Sequence, residues 1–183
     1  CVWLEDEDFD ILKRHGVTVA CCPASNLKLA SGYANVPKML ESGINVALGT
    51  DGAASNNNLN IMQDMYLFGV VYKGYFRDPT IITPAEVLHA ATRAGALSQG
   101  RDDSGLLAVG MRADLCVLNT DTPQFTPMTS AACNVVYAAQ GADVRMTMVD
   151  GEVLYRDGEF KTIDIEKVKA EVQRRTDSIL SRL

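Results

Sequence analysis

The fold class follows from residues 44–58, which read INVALGTDGAASNNN. The first six of these residues are mostly apolar and end on a glycine, which is typical of a short strand buried on both faces. Small and amide side chains follow at once and predict a loop. In parallel α/β proteins the ligand site lies where the strands end, so this loop is the first place to look for chemistry.

An earlier stretch shows the same pattern. Residues 17–22 form a second compact apolar run, VTVACC, bounded by a glycine and a proline. We expect a polar loop over residues 24–32 and a short helix over residues 36–42 before the strand at 44–49. The order strand, loop, helix, strand is that of a parallel sheet with crossover connections. The sequence therefore predicts an α/β fold, with the candidate site in the loops after the two strands.

The rest of the chain contains two clear local signals. Thr-Pro-Ala-Glu at residues 83–86 predicts a helix start, which we expect to continue to about residue 97. Asp150-Gly151 predicts a hairpin between two strands within residues 144–155. Further predicted elements are a helix over 59–76, a strand over 113–119 and an amphipathic helix over 164–183. We expect a domain boundary between residues 100 and 112, where helical sequence gives way to strand sequence.

The composition is that of an ordinary globular protein. Of the 183 residues, 47% are apolar and 22% are charged, which argues against a disordered or fibrous chain. No apolar run reaches the roughly 18 residues that a membrane span needs, so we expect no membrane partner. The 17 basic and 23 acidic side chains give a net charge of −6. We therefore expect no nucleic-acid partner, because phosphate contacts need clustered basic residues.

The cysteine and histidine counts bear on compartment and metal binding. Five cysteines without framework spacing are typical of free thiols, so we expect a cytoplasmic protein. His15 and His89 are the only histidines, and alone they cannot supply the imidazoles of most catalytic zinc sites. The chain opens on Cys1, with no initiator methionine and no signal-peptide pattern, which indicates a piece of a longer polypeptide. Any metal site would have to be completed from elsewhere.

Asp51 is the first candidate for chemistry. A carboxylate at the end of an apolar strand, followed by glycine and small side chains, can bind a cation or accept a proton while leaving room for a ligand. It can equally cap the turn or the next helix, and the pattern leaves both interpretations open. Ser25, Asn26, Ser55 and Asn56 can donate hydrogen bonds to a polar ligand, although such residues are also common in loops.

Several segments resemble one group of enzymes. Residues 23–32 and 48–57 closely resemble the amidohydrolase superfamily, and within it the branch of 5-methylthioadenosine/S-adenosylhomocysteine deaminases and related chlorohydrolase-like enzymes. Shorter agreements lie at residues 91–96, 105–118 and 149–153. The resemblance covers nearly all of the chain and is weakest from Lys161 onward.

The resemblance implies a fold and a metal centre. Residues 1–104 would form the C-terminal part of a (β/α)8 barrel, residues 105–160 part of a small β-sandwich with a connecting helix, and residues 161–183 a C-terminal helix. One divalent metal, zinc or alternatively iron or manganese, would be held by two histidines of an earlier His-x-His motif, a third histidine and Asp51. A further histidine of the family pattern would stand directly before Cys1. These histidines are expected in a missing N-terminal part of the same polypeptide.

The reaction implied by the resemblance is metal-dependent hydrolytic deamination of an adenine-ring nucleoside. The substrate would be 5-methylthioadenosine, S-adenosylhomocysteine or adenosine, and the products an inosyl compound and ammonia. Asp51 would ligate the metal and help to pass a proton from water to the departing ammonia, with Ser55 and Asn56 as substrate-binding residues. Relatives often carry histidine where this chain has Cys21, which bears on the pocket or on substrate choice. The amphipathic tail helix is compatible with a homo-oligomer.

Two other interpretations stay open. One keeps the superfamily and changes the reaction to that of a triazine chlorohydrolase or aminohydrolase, or of a guanine or cytosine deaminase. The other is that the chain is a non-catalytic fragment or scaffold, because it lacks every metal-ligating histidine of the family pattern. The 183-residue chain on its own is expected to be inactive.

Overall fold

The computed structural model describes residues 1–182. The α-helices in this part of the chain are α1 (Asp6–Arg14), α2 (Pro23–Lys28), α3 (Val36–Glu41), α4 (Ala53–Asn56), α5 (Ile61–Phe76), α6 (Pro84–Ala91), α7 (Arg93–Ser98), α8 (Ala131–Tyr137) and α9 (Ile165–Leu180). The strands are β1 (Val19–Cys21), β2 (Val46–Leu48), β3 (Leu115–Leu118), β4 (Val144–Val149), β5 (Glu152–Arg156) and β6 (Glu159–Phe160). None of the helices within residues 1–182 combines the length and the apolar character that a membrane span requires.

These residues form two compact units. The first comprises Cys1–Met111 and Asn119–Asp143, and the second comprises Arg112–Leu118 and the chain from Val144 onward. The first unit combines helices with a parallel pair of strands, whereas the second contains an antiparallel sheet followed by α9. The combination confirms the predicted α/β class.

The parallel pair β1 and β2 is the frame of the candidate site. Val19 lies opposite Val46 and Cys21 opposite Leu48, so both strands end at the same edge. All three residues of β2 are buried, as its apolar sequence predicts. β1 differs, because Ala20 is exposed between two buried neighbours. The prediction of burial on both faces was wrong for β1, because successive side chains point to opposite faces and Ala20 is exposed within residues 1–182.

Helix α5 lies in the core of the first unit. Its Phe68 and Tyr72 side chains are 0% and 1% exposed, and their rings meet edge to face with centroids 5.7 Å apart. The helix contacts α2, α6, α8 and β2. Full burial of a large apolar side chain stabilises a fold by about 1.5–3 kcal/mol. The buried rings therefore hold α5 in the core, and segments that form hydrogen bonds to α5 are bonded to a well-packed helix.

The predicted helix start at Thr83 is confirmed, but the predicted length was wrong. Thr83 and Glu86 exchange hydrogen bonds in a capping box. The helix does not continue to residue 97, because Thr92 adopts φ −126° and ψ −86° between α6 and α7. The Thr92 hydroxyl donates to the Leu88 carbonyl at 2.7 Å, a bond of the kind that bends helices.

The segment after β1 begins as a helix. The prediction of a polar loop over residues 24–32 was wrong in its first half, because α2 covers Pro23–Lys28. Proline suits the first turn of a helix, where its fixed φ is already helical. The Asn26 N–H closes that turn by donating to the Cys22 carbonyl at 3.0 Å. The helical turn buries Ser25 just beyond the end of β1.

The second unit is an antiparallel sheet in the order β3-β4-β5-β6. The predicted hairpin at Asp150-Gly151 is confirmed, with φ of 51° and 81° at the two residues, the left-handed conformation that a tight two-residue turn requires. Helix α9 lies within the predicted range 164–183. Leu183, the last residue of that prediction, lies outside the described residues.

Candidate active site

Two polar segments meet where β1 and β2 end. Because the strands are parallel and in register, the residues after Cys21 and after Leu48 leave the sheet at the same edge. Ser25, in α2, follows β1, and Asp51 follows β2. The Ser25 hydroxyl donates a hydrogen bond of 2.7 Å to Asp51 Oδ2. The loops after the two strands therefore form one cluster of polar side chains.

Asp51 presents an exposed carboxylate to this cluster. Its Oδ2 accepts from the Ser25 hydroxyl and its Oδ1 accepts from the Gly52 N–H, each at 2.7 Å. These two bonds, the Ser25 bond first, lower the pKa of Asp51 below its ordinary value, because each donor stabilises the charged form. The side chain is therefore ionised at neutral pH, and its donors are neutral groups.

The backbone around Asp51 is tightly fitted. Asp51 has a φ of 61°, in the left-handed region that few residues other than glycine adopt, although aspartate does so more readily than most. Such conformations cost about 1–3 kcal/mol and cluster at functional sites. Gly49 allows a close approach between the loops, since a Cβ at this position would lie 3.3 Å from the Cys22 sulfur.

The two cysteines at the end of β1 are not activated nucleophiles. Burial raises the pKa of Cys21 to about 11, and its sulfur lies 3.5 Å from the Tyr72 hydroxyl. Burial, and next the nearby charge of Asp51, raise the pKa of Cys22. Both thiols are therefore neutral at neutral pH, and Cys21 packs as a small apolar side chain.

A buried network joins both loops to α5. Asn56 Nδ2 donates to the Thr50 carbonyl at 2.8 Å and to Asp64 Oδ2 at 3.0 Å. Asp64 Oδ1 accepts from the Ala24 N–H at 3.1 Å. Asn56 and Asp64 are 7% and 1% exposed. One side chain of α5 thus bonds to the segment after β1 and, through Asn56, to the residue before Asp51.

The structure gives the predicted loop residues different surroundings. Ser55 is half-buried, and its hydroxyl donates to the Gly52 carbonyl at 3.0 Å. Asn56 is buried with its amide nitrogen occupied, which assigns it to support of the loop, whereas contact with a substrate stays a prediction for Ser55. Sequence reasoning missed Asp64. Its signal was a lone carboxylate inside an otherwise apolar helix, and that pattern equally suits an exposed residue.

Asp51 is the side chain of this cluster that best suits a metal ligand. Within residues 1–182, no group of three or more His, Cys, Asp and Glu side chains is placed to hold a metal ion. Asp51 fits the part of one ligand, because it is exposed and ionised and its partners in the described chain are neutral donors. The other ligands of such a site would come from outside these residues.

Replacing Ser25 with alanine is expected to raise the pKa of Asp51 toward its ordinary value, because the Ser25 bond is the largest cause of the lowering. A lowered carboxyl pKa stabilises the folded state above the unfolded-state pKa, and that stabilisation is lost as pH falls through the folded-state pKa. Ser25→Ala should therefore reduce the loss of stability on acidification. The Asp51 pKa is measured by NMR titration of its carboxyl carbon.

Ser42→Ala is the matched control for this titration. Ser42 ends α3 and has no hydrogen bond to Asp51 among residues 1–182, so its removal should leave the Asp51 pKa where it is in the parent protein. If Ser25→Ala gave the same pKa as Ser42→Ala, the assigned Ser25 bond would be wrong.

Comparison with known proteins places this cluster in a family. The sequence matches the amidohydrolase family over residues 1–154. The 5-methylthioadenosine/S-adenosylhomocysteine deaminase of Acetivibrio thermocellus is 45% identical over 181 residues, which cover 98% of this chain and 42% of the relative. The 5'-deoxyadenosine deaminase of Methanosarcina mazei is 42% identical over 183 residues, which cover 100% of this chain and 42% of the relative.

A solved structure agrees with these relatives. The crystal structure of an adenosine deaminase from Xanthomonas campestris with bound zinc superposes with a TM-score of 0.95 at 30% identity, over 98% of this chain and 41% of that one. This chain thus spans about 42% of the length of the curated relatives it matches. The matched residues 1–154 include β1, β2 and the Asp51 cluster, whose residues follow these two strands. The resemblance seen at the two loops is confirmed, and the chain belongs to the amidohydrolase family.

Proposed function

We propose that the complete polypeptide carrying this chain is a metal-dependent deaminase, which converts an adenine-ring nucleoside to its inosyl product and ammonia. The observation that carries the proposal is the exposed, ionised carboxylate of Asp51 at the end of β2, held by Ser25 and Gly52. The names of the relatives direct the choice of substrate to 5'-deoxyadenosine, 5-methylthioadenosine and S-adenosylhomocysteine.

In this proposal Asp51 supplies one ligand of a divalent metal, zinc first, with iron or manganese as alternatives. A bound divalent ion lowers the pKa of water, so that hydroxide is available near neutral pH. Ser25 and Gly52 each occupy one acceptor position on the Asp51 oxygens, and a carboxylate has about four. The positions that remain can take a cation and a proton. The other ligands are proposed to be histidines outside this chain.

Asp51 also has the properties of a proton carrier. In hydrolytic deamination, water adds its oxygen to the ring carbon that bears the amino group and a proton to the adjacent ring nitrogen. The hydroxyl proton of the adduct then passes to the amino group, the C–N bond breaks, and ammonia leaves. A carboxylate oxygen of Asp51 can take up that proton and deliver it, because the side chain is exposed and Ser25 and Gly52 leave acceptor positions free on its oxygens.

Ser55 is the proposed substrate contact. It is half-buried in the segment that carries Asp51, and its hydroxyl, which donates to the Gly52 carbonyl, keeps an acceptor position for an N–H or O–H group of a purine or a ribose. Asn56, assigned to the substrate from the sequence, acts in this proposal through the loop instead, because its amide nitrogen already has two partners.

The wider architecture is proposed on the same basis. Residues 1–104 would be the C-terminal part of a (β/α)8 barrel, supported by the parallel β1–β2 pair with α3 between its strands. The antiparallel sheet within residues 105–160 would be part of a β-sandwich, and residues 161–183 a C-terminal helix. A missing N-terminal part, a homo-oligomer and a cytoplasmic location stay predictions from the sequence.

Other amidohydrolase chemistries define the alternatives. A triazine chlorohydrolase or aminohydrolase, or a guanine or cytosine deaminase, would use the Asp51 carboxylate in the same way and differ in the substrate it accepts. A non-catalytic scaffold would turn over none of these compounds. The alternatives are therefore separated by a panel of substrates rather than by the Asp51 cluster itself.

The complete polypeptide, loaded with zinc, is expected to release ammonia from at least one adenine nucleoside. The measurement is ammonia release together with loss of the adenine ultraviolet absorbance, over a panel that adds guanine, cytosine and a chlorotriazine. The 183-residue chain alone should be inactive, because within residues 1–182 no group of three or more His, Cys, Asp and Glu side chains is placed to hold a metal ion. Turnover of the added compounds alone would reject the substrate class, and no turnover at all would favour the scaffold.

A further inference from the structure

Asp64 is a buried carboxylate that the proposed chemistry does not use. It lies in the first turn of α5 and is 1% exposed. Burial raises its pKa, and the Ala24 and Asn56 hydrogen bonds oppose that shift. A buried carboxyl group is costly unless it is fully hydrogen-bonded. Each oxygen of the Asp64 carboxyl group accepts from one of these donors.

The two donors come from the segments that follow β1 and β2, which together are called the two loops. The Ala24 N–H belongs to the first turn of α2 after β1, and Asn56 ends α4 after β2. Each donor is bonded to a separate oxygen of Asp64, at 3.1 Å and 3.0 Å. One side chain on the firmly packed α5 therefore fixes how far apart the two loops lie.

The same contacts lead directly to the Asp51 carboxylate. Ala24 is the neighbour of Ser25, and Asn56 also holds the carbonyl of Thr50, the neighbour of Asp51. Ser25 and Asp51 are themselves joined by a 2.7 Å hydrogen bond. The hydrogen bonds and peptide links run from Asp64 through Ala24, Ser25, Asp51, Thr50 and Asn56 and back to Asp64. In this closed ring Asp64 lies across from the Ser25–Asp51 contact.

We propose that Asp64 is a positioning residue, which holds the two loops so that Ser25 fixes the direction of the Asp51 carboxylate. This inference rests on the proposed function where it concerns catalysis, and on the hydrogen-bond ring alone where it concerns loop order. Asp64 does not touch the reacting atoms. A misplacement of about 1 Å in a reacting group is enough to cost a factor of roughly a hundred in rate.

The test uses a substitution that keeps size and changes hydrogen bonding. Asp64→Asn keeps one acceptor oxygen and turns an NH2 group toward the other donor, so either the Ala24 or the Asn56 bond is lost. The complete polypeptide should lose kcat by roughly tenfold to a hundredfold with KM changed by less than about twofold. Amide hydrogen exchange should become faster at residues 22–26 and 49–56.

Asp143→Asn is the matched control. Asp143 is 7% exposed and accepts from one side-chain amide, Gln124 Nε2 at 2.9 Å, and from one backbone N–H, that of Gln140 at 2.8 Å. The donor types are those of Asp64, and neither donor belongs to the ring. Asp143→Asn should lower the thermal midpoint by a similar amount and leave kcat and exchange at 22–26 and 49–56 unchanged. Equal kcat and equal exchange in the two variants would overturn the inference.

Two further arms keep the result interpretable. If Asp64→Asn does not fold, Asn56→Ala replaces it, because it removes the link from Asp64 to Thr50 and should speed exchange at residues 49–56; unchanged exchange there overturns the inference. If the parent polypeptide shows no deaminase activity, the proposed function fails and the exchange comparison with Asp143→Asn still decides the positioning role.

Discussion

Asp51→Ala is expected to abolish deamination by the complete polypeptide, with kcat/KM lower by about 10³-fold or more. Removing the carboxylate removes both a proposed metal ligand and the proton carrier, and a metal's contribution alone is worth several kcal/mol of barrier, about tenfold in rate for each 1.4 kcal/mol. Steady-state kinetics and zinc content measured on the same samples check the prediction. Both should fall together.

Asp78→Ala is the control for this experiment. Asp78 also has a lowered pKa, caused by hydrogen bonds from the Thr80 hydroxyl and the Thr80 N–H, but it lies in the segment between α5 and α6. Its replacement should leave zinc content and kcat/KM near those of the parent protein. An Asp51→Ala protein with full activity, or a loss shared equally by Asp78→Ala, would refute the role given to Asp51.

Gly105→Ala is expected to lower the free energy of unfolding of the complete polypeptide by about 3 kcal/mol. Gly105 has a φ of 82°, and a Cβ there would lie 2.7 Å from Arg93 Cα and 3.0 Å from the Thr92 carbonyl oxygen. These are backbone atoms at the start of α7, which cannot move aside as a flexible side chain does. Thermal or urea denaturation of the complete polypeptide measures the loss.

Gly110→Ala separates the two causes. Gly110 has a similar φ of 90°, but nothing lies within 4 Å of its Cβ position. Its substitution should cost only the backbone strain of a left-handed alanine, about 1 kcal/mol. If Gly105→Ala lowered the free energy of unfolding no more than Gly110→Ala does, that result would contradict the close packing of residue 105 on Arg93.

The parts of the fold that the sequence predicts correctly depend on local chemistry. The capping box at Thr83 and the turn at Asp150-Gly151 are set by a few neighbouring side chains, so their patterns are decisive. α2 is different, because its polar residues also suit a loop, and the helix is completed by the bond from Asn26 to Cys22. The break at Thr92 is accompanied by a bond from its hydroxyl to the Leu88 carbonyl, which composition does not reveal.

The residues of the candidate site also differ in how far the local sequence indicates them. Asp51 is a candidate from the sequence because its position after an apolar strand is a property of the local sequence, and its part in metal binding and catalysis stays a prediction. Its partner Ser25 is distant in the chain, and which loop residue bonds to Asp51 depends on α2 and the β1–β2 register. Asp64 was missed because its burial comes from the packing of two loops on α5, whereas a lone acidic residue in a helix usually faces solvent.

The most direct test of the proposed metal centre is a crystal structure of the complete polypeptide grown with zinc. An oxygen of Asp51 should lie about 2.0–2.2 Å from the metal, with Ser25 still donating to that carboxylate. A zinc ion bound by other side chains, with both Asp51 oxygens beyond about 3.5 Å and thus outside ligand distance, would contradict the assignment on which the proposed function rests.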